Sequence, residues 1–374
     1  MRRSGGESSR PVRVAFFSPQ TAEHRSAELW CELPAMRGHE VGIDGTSCPA
    51  PFPRLVESIR RLWSRAALPG RIAWAFYWFL IFLPLRIIQL AGIGRFDVAF
   101  VNLTMFRISS PPLLERITKS VFGRPLVLHI SDAYWIRFPP KRIEERCRLA
   151  DLVVTGNEYT ADFVRKAGGT VRKVEYGLDA TLYPVREHAG NRELVIGFTG
   201  MSADTFPAEA AVGIARACRE SGSRFVWVGS PARPDIPALE PFLDWRPWNE
   251  RDPQGFFAEF DLAVCPLVDD EWTRGKETFK MKEYMAAGLP QVLSPVGYGL
   301  EVIEDGIEGF FASSEDEWFE RLTILVRDPD LRARMGSAAR NRLESVYGSD
   351  RMLAGIGEVC REAAALKGRR RRVG

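Results

Sequence analysis

Residues 261–310 have the sequence DLAVCPLVDDEWTRGKETFKMKEYMAAGLPQVLSPVGYGLEVIEDGIEGF and read as a strand, a loop, a helix, a second strand and a second loop. The apolar run Leu262–Val268 is short enough for a buried strand. A helix is predicted over Thr278–Ala287, because apolar residues recur there at helical spacing, and Gly288 would end it in a left-handed cap. The run Gln291–Ser294 completes half of a parallel α/β sheet. Ligands of such sheets bind beyond the carboxyl ends of the strands, where the two loops lie.

Basic residues cluster where the predicted polar loop Asp269–Lys276 meets the helix. Lys276, Lys280 and Glu283 are spaced by four and three residues, so they share one helical face. A helix start with two lysines and Arg274 beside it is a good seat for a diphosphate. Glu283, one turn further on, is typical of a carboxylate that accepts hydrogen bonds from sugar hydroxyls. On spacing alone, a solvated helix with a Lys280–Glu283 ion pair explains these residues equally well.

The run EYMAAGLP at Glu283–Pro290 resembles the second half of the signature of the GT-B glycosyltransferases, family 4 in particular. Further matches are SPVG at 294–297, EVIEDG at 301–306 and EGF at 308–310. That family places two glutamates eight residues apart, whereas Gly275 stands eight residues before Glu283. A subset of the family instead carries Arg-Gly-Lys and a later lysine, as residues 274–276 and Lys280 do here.

The resemblance implies roles for the residues of this stretch. Glu283 would bind the ribose of a nucleotide sugar, and Lys276 would bind its diphosphate. Lys280 and Arg274 would be catalytic, because they would stabilise the diphosphate as negative charge grows on it, without a metal. Further donor-binding residues would lie at strand ends and in the matched loops: Gly200, Gly229, Trp248, Gly297 and Glu301. Core packing is the alternative interpretation of Trp248.

The segment around residue 130 resembles the part of the family's first domain that approaches the donor sugar. A buried strand is predicted over Pro125–Ile130, and Asp132 directly after it would be catalytic, lining the sugar or acceptor side. His129 and Asp179 would also belong to the acceptor side. His129 lies within the strand, which equally suits a hydrogen-bonded core histidine. Asp179 equally suits an Asx turn.

Composition describes an ordinary globular protein of two domains. The chain has 374 residues, of which 45% are hydrophobic and 26% charged, and its net charge is only +3. That charge, with no zinc knuckle or basic-aromatic stripe, argues against nucleic acid as a partner. The six cysteines are scattered without a C-x-x-C pair, which predicts reduced thiols and a cytoplasmic location. The N-terminal residues MRRSGGESSRP precede no apolar run typical of a signal peptide.

The resemblance implies an α/β protein of the GT-B class, with two Rossmann-like doubly wound domains facing a central cleft. The expected divisions are residues 10–185 as an N-terminal acceptor-side domain, 190–348 as a C-terminal nucleotide-sugar domain, and 349–374 as a helix and basic tail returning to the first domain. The first domain would open with a strand at Val12–Phe17 and a helix at about His24–Met36. In the second, Ser314–Glu317 predicts a capping box that begins a helix.

Residues 54–95 form an unusual insertion in the first domain. Five arginines and one glutamate lead into Ile72–Leu85, which carries no charge and contains Trp74 and Trp78. Fourteen helical residues reach about 21 Å, short of the roughly 30 Å hydrocarbon core of a bilayer. Two interpretations stay open: a helix in the interface of an anionic membrane, which would place the protein on the inner face of the plasma membrane, or a buried helix of the first domain.

The function implied by the resemblance is retaining transfer of a sugar from a nucleoside diphosphate sugar to a saccharide or lipid-linked acceptor. Surface polysaccharide or glycoconjugate biosynthesis is the expected context, with no cofactor or metal. The missing first glutamate supports one alternative, a catalytically weak GT-B protein that binds nucleotide sugar or acts as a scaffold at the membrane. A Rossmann oxidoreductase is disfavoured, because no G-x-G-x-x-G motif follows the first strand.

Overall fold

The computed structural model describes residues 10–19, 28–48, 77–186, 193–230, 232–249 and 254–373. The chain divides into two compact units, one comprising Met1–Tyr176 with Met352–Gly374 and the other Gly177–Arg351. Each unit contains one sheet of six parallel strands with helices packed against it. The predicted α/β fold with two Rossmann-like domains is therefore confirmed.

The strands of the first unit are short, buried apolar runs, as expected for a parallel sheet covered on both faces. They are β1 Val12–Phe17, β2 Ile43–Cys48, β3 Val98–Asn102, β4 Leu126–His129, β5 Leu152–Thr155 and β6 Val171–Lys173. Their order across the sheet is β2-β1-β3-β4-β5-β6. The predicted bounds of β1 are confirmed residue for residue.

The helices of the first unit connect these strands and cover the sheet. They are α1 Leu33–Arg37, α2 Leu83–Ala91, α3 Leu113–Ser120, α4 Tyr134–Arg137, α5 Pro140–Leu149 and α6 Glu158–Lys166. One apolar cluster joins alternate strand residues to α2, α3, α5 and α6, so these four helices lie on the same face of the sheet. Residues 20–27, the start of the helix predicted over His24–Met36, lie outside the described residues.

Two of these helices begin with π-helical turns that end shortly before a proline. Glu28–Glu32 precedes α1, in which Pro34 lies in the first turn, and Tyr77–Phe82 precedes α2, in which Pro84 does. A proline ring clashes with the carbonyl four residues earlier and provides no N–H group to bond it. The wider π turn accommodates that local mismatch.

The second unit repeats the architecture. Its strands are β7 Val195–Gly200, β8 Arg224–Gly229, β9 Leu243–Pro247, β10 Leu262–Cys265, β11 Gln291–Leu293 and β12 Gly309–Phe311. Their order is β12-β11-β10-β7-β8-β9, so the direction of winding reverses between β7 and β10. In open parallel sheets, ligands bind at the carboxyl ends of the strands at such a reversal.

Five α-helices and two single-turn helices accompany this second sheet and its C-terminal extension. They are α7 Ala208–Ser221, α8 Glu271–Arg274, α9 Phe279–Ala286, α10 Gly299–Val302, α11 Glu315–Arg327, α12 Pro329–Val346 and α13 Ser349–Val373. The predicted capping box is confirmed at the start of α11, where Ser314 Oγ accepts from Glu317 N and Glu317 Oε2 accepts from Ser314 N.

Helix α13 packs against the first unit, as the fold class predicts. Arg361 Nη1 donates to the carbonyl oxygen of Val41 at 2.5 Å. Arg172 forms a two-pronged ion pair with Glu362, with a shorter N···O distance of 2.5 Å. Gly355 allows the helix to approach closely, since a Cβ there would lie 3.0 Å from Val174.

Candidate functional site

The candidate site lies at the carboxyl edge of the second sheet, where the loops after β7, β8, β10 and β11 emerge. The loop after β10 was predicted to be irregular from Asp269 to Lys276, and this is wrong for its middle, which forms the one-turn helix α8. Asp270 caps that turn: its carboxylate accepts from Thr273 N at 2.8 Å, and Thr273 Oγ1 accepts from Asp270 N. The D-x-x-T spacing was the sequence signal that could have found it.

Helix α9 confirms the helix predicted over Thr278–Ala287, within one residue at each end. Met281, Tyr284 and Met285 are buried, and Gly288 follows with a φ of +67°. The Tyr284 hydroxyl accepts a hydrogen bond of 2.9 Å from Thr199 N. This bond fixes α9 to the last turn of β7, because Thr199 is the penultimate residue of that strand.

Lys282, which sequence reasoning passed over, is the fully buried lysine of this helix. Its ammonium donates to the Tyr298 hydroxyl at 2.6 Å and lies 4.0 Å from the centre of the Tyr347 ring. Both contacts stabilise the buried charge by hydrogen bonding and cation–π attraction. Lys282 therefore ties α9 to the loop after β11, and Lys280, two residues earlier, lies on the opposite side of the helix.

Lys280 extends from α9 over the end of β7. Its ammonium nitrogen lies 4.0 Å from the centre of the Phe198 ring. It is 3.4 Å from the position that a Cβ atom on Gly200 would occupy. The pKa of Lys280 is lowered to about 8, chiefly by burial and further by the charge of Lys276, while Cys265 and Glu283 oppose the shift. A cation held in such surroundings gains more from an added anion than one in water does.

Lys276 and Glu283 accompany Lys280 on this side of the helix start. The charge of Lys276 reaches Lys280, although Lys276 lies in the segment before α9 and not on the helical face predicted from its spacing. Glu283 is half-buried, and one of its oxygens accepts from the Tyr183 hydroxyl at 3.0 Å. Tyr183 itself is buried and stands 100 residues away in sequence, so local spacing gave no signal of this contact.

Arg274 occupies a different position from the two lysines. Its guanidinium is exposed and pairs with Asp269 at 2.6 and 3.0 Å, and that pairing lowers the pKa of the Asp269 carboxyl. The backbone of Arg274 is packed against Gly297, where a Cβ would lie 2.5 Å from the Arg274 carbonyl oxygen. Gly297 has a φ of +54°, which only glycine adopts without strain. Glycine at this position therefore allows the loop after β11 to lie against the backbone of Arg274 at the end of α8.

The glycines at the ends of β7 and β8 leave the sheet edge without side chains. Gly200 and Gly229 are partners in the register of the two strands. Gly229 has a φ of +123°, and a Cβ there would lie 3.2 Å from the Gly200 carbonyl oxygen. That oxygen accepts from Trp227 Nε1 at 2.8 Å, so a side chain of β8 also bonds the end of β7.

Trp248 and Glu301, also predicted to bind donor, flank this edge. Trp248 follows β9, has 40% of its surface exposed, and contacts Phe256 edge to face at 5.7 Å between ring centres. About two fifths of its surface is therefore exposed, whereas a tryptophan packed wholly in the core would be buried. Glu301 is half-buried in the first turn of α10, directly after the Gly297 turn.

The remaining predicted residues are distributed over both units. In the first unit, Asp132 is half-buried between β4 and α4. His129 is fully buried, with Nδ1 3.0 Å from Asn102 Oδ1 and its ring stacked on Trp30 at 3.8 Å, and burial lowers its pKa to about 3. In the second unit, Asp179 forms the Asx turn considered from sequence: one oxygen accepts from both Thr181 N and Oγ1.

Two of these placements constrain chemistry. Burial lowers the pKa of His129 to about 3, which favours the neutral imidazole of a hydrogen-bonded core histidine. The Asp179 carboxylate is used locally at the cap of a 3₁₀ turn. Within the described ranges, no group of three His, Cys, Asp or Glu residues could hold a metal ion.

Comparison with known proteins gives a family and a fold. Residues 195–328 match the model of the family described as glycosyl transferases group 1, while no curated protein matches. The solved structure of Anabaena HepE with UDP and glucose superposes with a TM-score of 0.67 at 15% identity, over 94% of this chain and 100% of that chain. Sucrose-phosphate synthase from Thermosynechococcus elongatus gives 0.63 at 12% identity, over 95% and 100%.

A glycosyltransferase from Rickettsia africae is also similar, with a TM-score of 0.61 at 12% identity over 95% of this chain and 99% of that chain. The matched family segment begins at β7 and ends just after α11, so it contains the whole sheet edge described above. Residues 195–328 therefore match the glycosyl transferases group 1 family, and the whole chain has the GT-B fold of these solved structures.

Proposed function

We propose that the chain transfers a sugar, with retention of configuration, from a nucleoside diphosphate sugar to a saccharide or lipid-linked acceptor. The context we propose is surface polysaccharide or glycoconjugate biosynthesis. The observation that carries the proposal is the Lys280 ammonium, held 3.4 Å from the Cβ position of Gly200 at the bare end of β7, with Lys276 and Glu283 beside it. The HepE complexes contain UDP and UDP-glucose, which supports a nucleoside diphosphate sugar as the donor class.

The proposed task of this edge is to stabilise the departing diphosphate. As the bond between the sugar and the phosphate oxygen breaks, its electron pair moves onto the diphosphate, and negative charge accumulates there. Lys280 and Lys276 would attract that charge most strongly in the transition state, from a site of low polarity where they need not reorganise. Gly200 and Gly229 place no side chain on this edge, so phosphate oxygens would meet backbone atoms there.

Glu283 is proposed to hold the ribose hydroxyls. A carboxylate accepts from two neighbouring hydroxyls well, provided that its orientation is fixed. The 3.0 Å bond from the Tyr183 hydroxyl provides that orientation. Trp248 is proposed to stack on the base, and Gly297 and Glu301 to line the phosphate and sugar side of the same edge.

Arg274 can join the proposed site only by exchanging its partner. Its present pair with Asp269 is exposed, and exposed ion pairs contribute about 0–1 kcal/mol. A diphosphate, with more charge than one carboxylate, would compete for the guanidinium at little cost. Asp132 is proposed to act on the sugar or acceptor side on the family resemblance alone, and the same holds for His129 and Asp179 as acceptor-side residues.

No cofactor or metal is part of the proposed reaction, because lysine and arginine side chains supply the positive charge. The proposed location is the cytoplasm, with peripheral binding to the inner face of the plasma membrane, where a lipid-linked acceptor would be met. The only described helix long and apolar enough to cross a membrane, by length and composition, is Tyr77–Arg95. Buried core helices have the same length and composition.

The experiment is a thermal-shift screen of nucleoside diphosphates and their sugars on the purified protein. A ligand that binds the folded state raises its stability by about 2.7 kcal/mol at a hundredfold excess over Kd. We expect a shift for one donor, which Lys280→Ala and Glu283→Ala each reduce strongly. Matched controls are Lys166→Ala on α6 and Glu220→Ala on α7, both exposed, which should leave the shift unchanged.

Turnover separates the proposed enzyme from a nucleotide-sugar-binding scaffold. With donor and acceptor present, the enzyme releases nucleoside diphosphate continuously, and the anomeric configuration of the product by NMR matches that of the donor. A stabilising donor with no acceptor-dependent release would favour the scaffold, and an inverted product would refute retention. No shift with any nucleotide sugar would refute the proposal as a whole.

A further inference from the structure

Helices α2 and α3 of the first unit share an outward surface that is apolar on both helices. Leu80, in the π-helical turn before α2, and Ile87 and Ile88 in α2 are 53–67% exposed. Leu113 at the start of α3, Ile117, and Val121 just after its end are 40–71% exposed and are spaced four residues apart. We call these six residues the apolar face. Helical residues three or four apart lie on one side, so each helix presents a stripe rather than scattered side chains.

The two helices are neighbours in one layer of the first unit. Leu90 and Ile93 from the α2 segment and Leu114 from α3 belong to one buried cluster against the same face of the sheet. Arg124, shortly after α3, donates to the Gly94 carbonyl oxygen at 2.6 Å and so joins the ends of the two helices. At the other end, the rings of Trp78 and Phe106 meet at 5.4 Å. The two stripes therefore belong to one surface.

The opposite side of the α2 segment is fixed into the first unit by Arg86. This arginine is 1% exposed, and it donates to the carbonyl oxygens of Ser18 at 2.6 Å and Cys48 at 2.7 Å, at the ends of β1 and β2. Its guanidinium also lies over the rings of Phe17 and Phe82. A helix held in this way lies on the unit as a surface element, with one side buried and one side bare.

The charges around the apolar face are almost all positive. Residues 77–124 contain two carboxylates, and both have partners: Asp97 pairs with Arg13, and the buried Glu115 pairs with Arg146. By contrast, Arg95, Arg116 and Arg124 have no carboxylate partner among the described residues.

We propose that the apolar face is the surface by which the protein docks on an anionic lipid bilayer, with α2 and α3 lying in the plane of the interface. Apolar side chains would enter the boundary between headgroups and acyl chains, and the flanking arginines would meet lipid phosphates. A second copy of the chain fits less well, because it would bring a second set of unpaired arginines to the same surface and, among the residues that the structure describes there, no compensating carboxylates. The inference extends the membrane part of the proposed function to α3 and does not depend on the donor site.

The test is sedimentation with vesicles of phosphatidylcholine alone and of phosphatidylcholine mixed with phosphatidylglycerol, using the full chain. The wild type is expected to bind the mixed vesicles and to be released by high salt or carbonate. Ile87→Gln/Ile88→Gln on α2 and Ile117→Gln/Val121→Gln on α3 should each lower the partition coefficient by at least about tenfold. Arg116→Gln should lower it by about fivefold at low salt.

The matched control is Ile324→Gln/Val346→Gln, which replaces two similarly exposed apolar residues of the second unit and should bind as the wild type does. Circular dichroism and thermal melting establish that each variant is folded, and the nucleotide-sugar thermal shift reports separately on the donor site. The proposal is overturned if the wild type ignores anionic vesicles or if the α3 variant binds as well as the wild type. It is also overturned if carbonate fails to extract the bound protein, or if sedimentation velocity shows a wild-type dimer that the variants dissociate.

Discussion

Replacing Lys280 by methionine should stabilise the empty protein while weakening its binding of nucleotide. Methionine has a similar length and keeps an apolar contact with the Phe198 ring, over which the ammonium now lies at 4.0 Å. The substitution therefore removes the charge with little change in shape. A variant that is more stable but binds nucleotide more weakly would show that Lys280 serves ligand binding and does not stabilise the fold.

The magnitude follows from the lowered pKa of Lys280. A fall from 10.5 to about 8 corresponds to about 3 kcal/mol by which the empty site disfavours the charged form. Below pH 8 this cost is fully present, so Lys280→Met should raise the free energy of unfolding by up to about 3 kcal/mol at pH 7. Between pH 8 and 10.5 the unfolded chain binds more protons at this lysine than the folded chain does. The wild type should therefore gain stability with rising pH across this window, and the variant should not.

Nucleotide binding should change in the other direction. A hydrogen bond to a charged partner contributes about 1.5–3 kcal/mol, so losing the Lys280 ammonium should weaken nucleoside diphosphate binding by about 10- to 100-fold. The wild-type affinity should also fall as the pH rises above about 8, because the lysine of the empty protein loses its proton there. The variant should show no such dependence.

Urea denaturation across pH 7–11 and isothermal titration with the nucleotide found in the screen provide the two measurements. The Lys166→Ala variant controls for loss of a lysine elsewhere. A Lys280→Met protein that is less stable than the wild type at pH 7, or that binds the diphosphate equally tightly, would refute the role given to this residue.

Three further predictions concern the supports of the site and of the docking helix. Tyr183→Phe removes the hydrogen bond that orients Glu283 and should weaken nucleotide-sugar binding by about 2- to 10-fold in a titration, whereas unchanged affinity would contradict the orientation argument. Gly297→Ala should lower the free energy of unfolding by about 1–3 kcal/mol more than Gly306→Ala does. Both glycines have positive φ, but only at Gly297 would an added Cβ collide with backbone atoms, those of Arg274. Equal losses of stability in urea denaturation would contradict this prediction. Arg86→Met removes a donor to the carbonyl oxygens of Ser18 and Cys48, at a cost of about 1–3 kcal/mol each, but it also removes a charge that burial disfavours, so the net loss should be at most about 3 kcal/mol; a variant more stable than the wild type by over about 1 kcal/mol would mean that α2 is not anchored there.

Short-range patterns predicted the secondary structure around the site well. The apolar run of β1, the helix α9 with its glycine cap and the capping box of α11 follow from spacing and residue type, because their hydrogen bonds join residues at most a few positions apart. The turn α8 obeys the same rule and was missed only because the loop looked polar. The spacing of Lys280 and Glu283 by three residues on α9 was likewise predictable from periodicity, whereas Lys276 precedes the helix, which begins at Phe279.

Contacts between distant residues could not be predicted in this way. Tyr183 reaches Glu283 across 100 residues, and the burial of Lys282 depends on Tyr298 and Tyr347, which other elements bring to it. The ion pair with Asp269 also sets the orientation of the Arg274 side chain, which could not be predicted from the spacing of residues in the sequence. The apolar stripe of α3 can be predicted from its four-residue spacing. That it forms one surface with the exposed apolar residues of α2 cannot, because the two helices meet only in the folded protein.

The most direct test of the central claim is a crystal structure of the protein with the nucleoside diphosphate that stabilises it. We expect a phosphate oxygen within about 3 Å of Lys280 Nζ at the Gly200 edge, and ribose hydroxyls bound to the carboxylate of Glu283. A diphosphate bound elsewhere, with Lys280 still over the Phe198 ring and in contact with no phosphate, would contradict it.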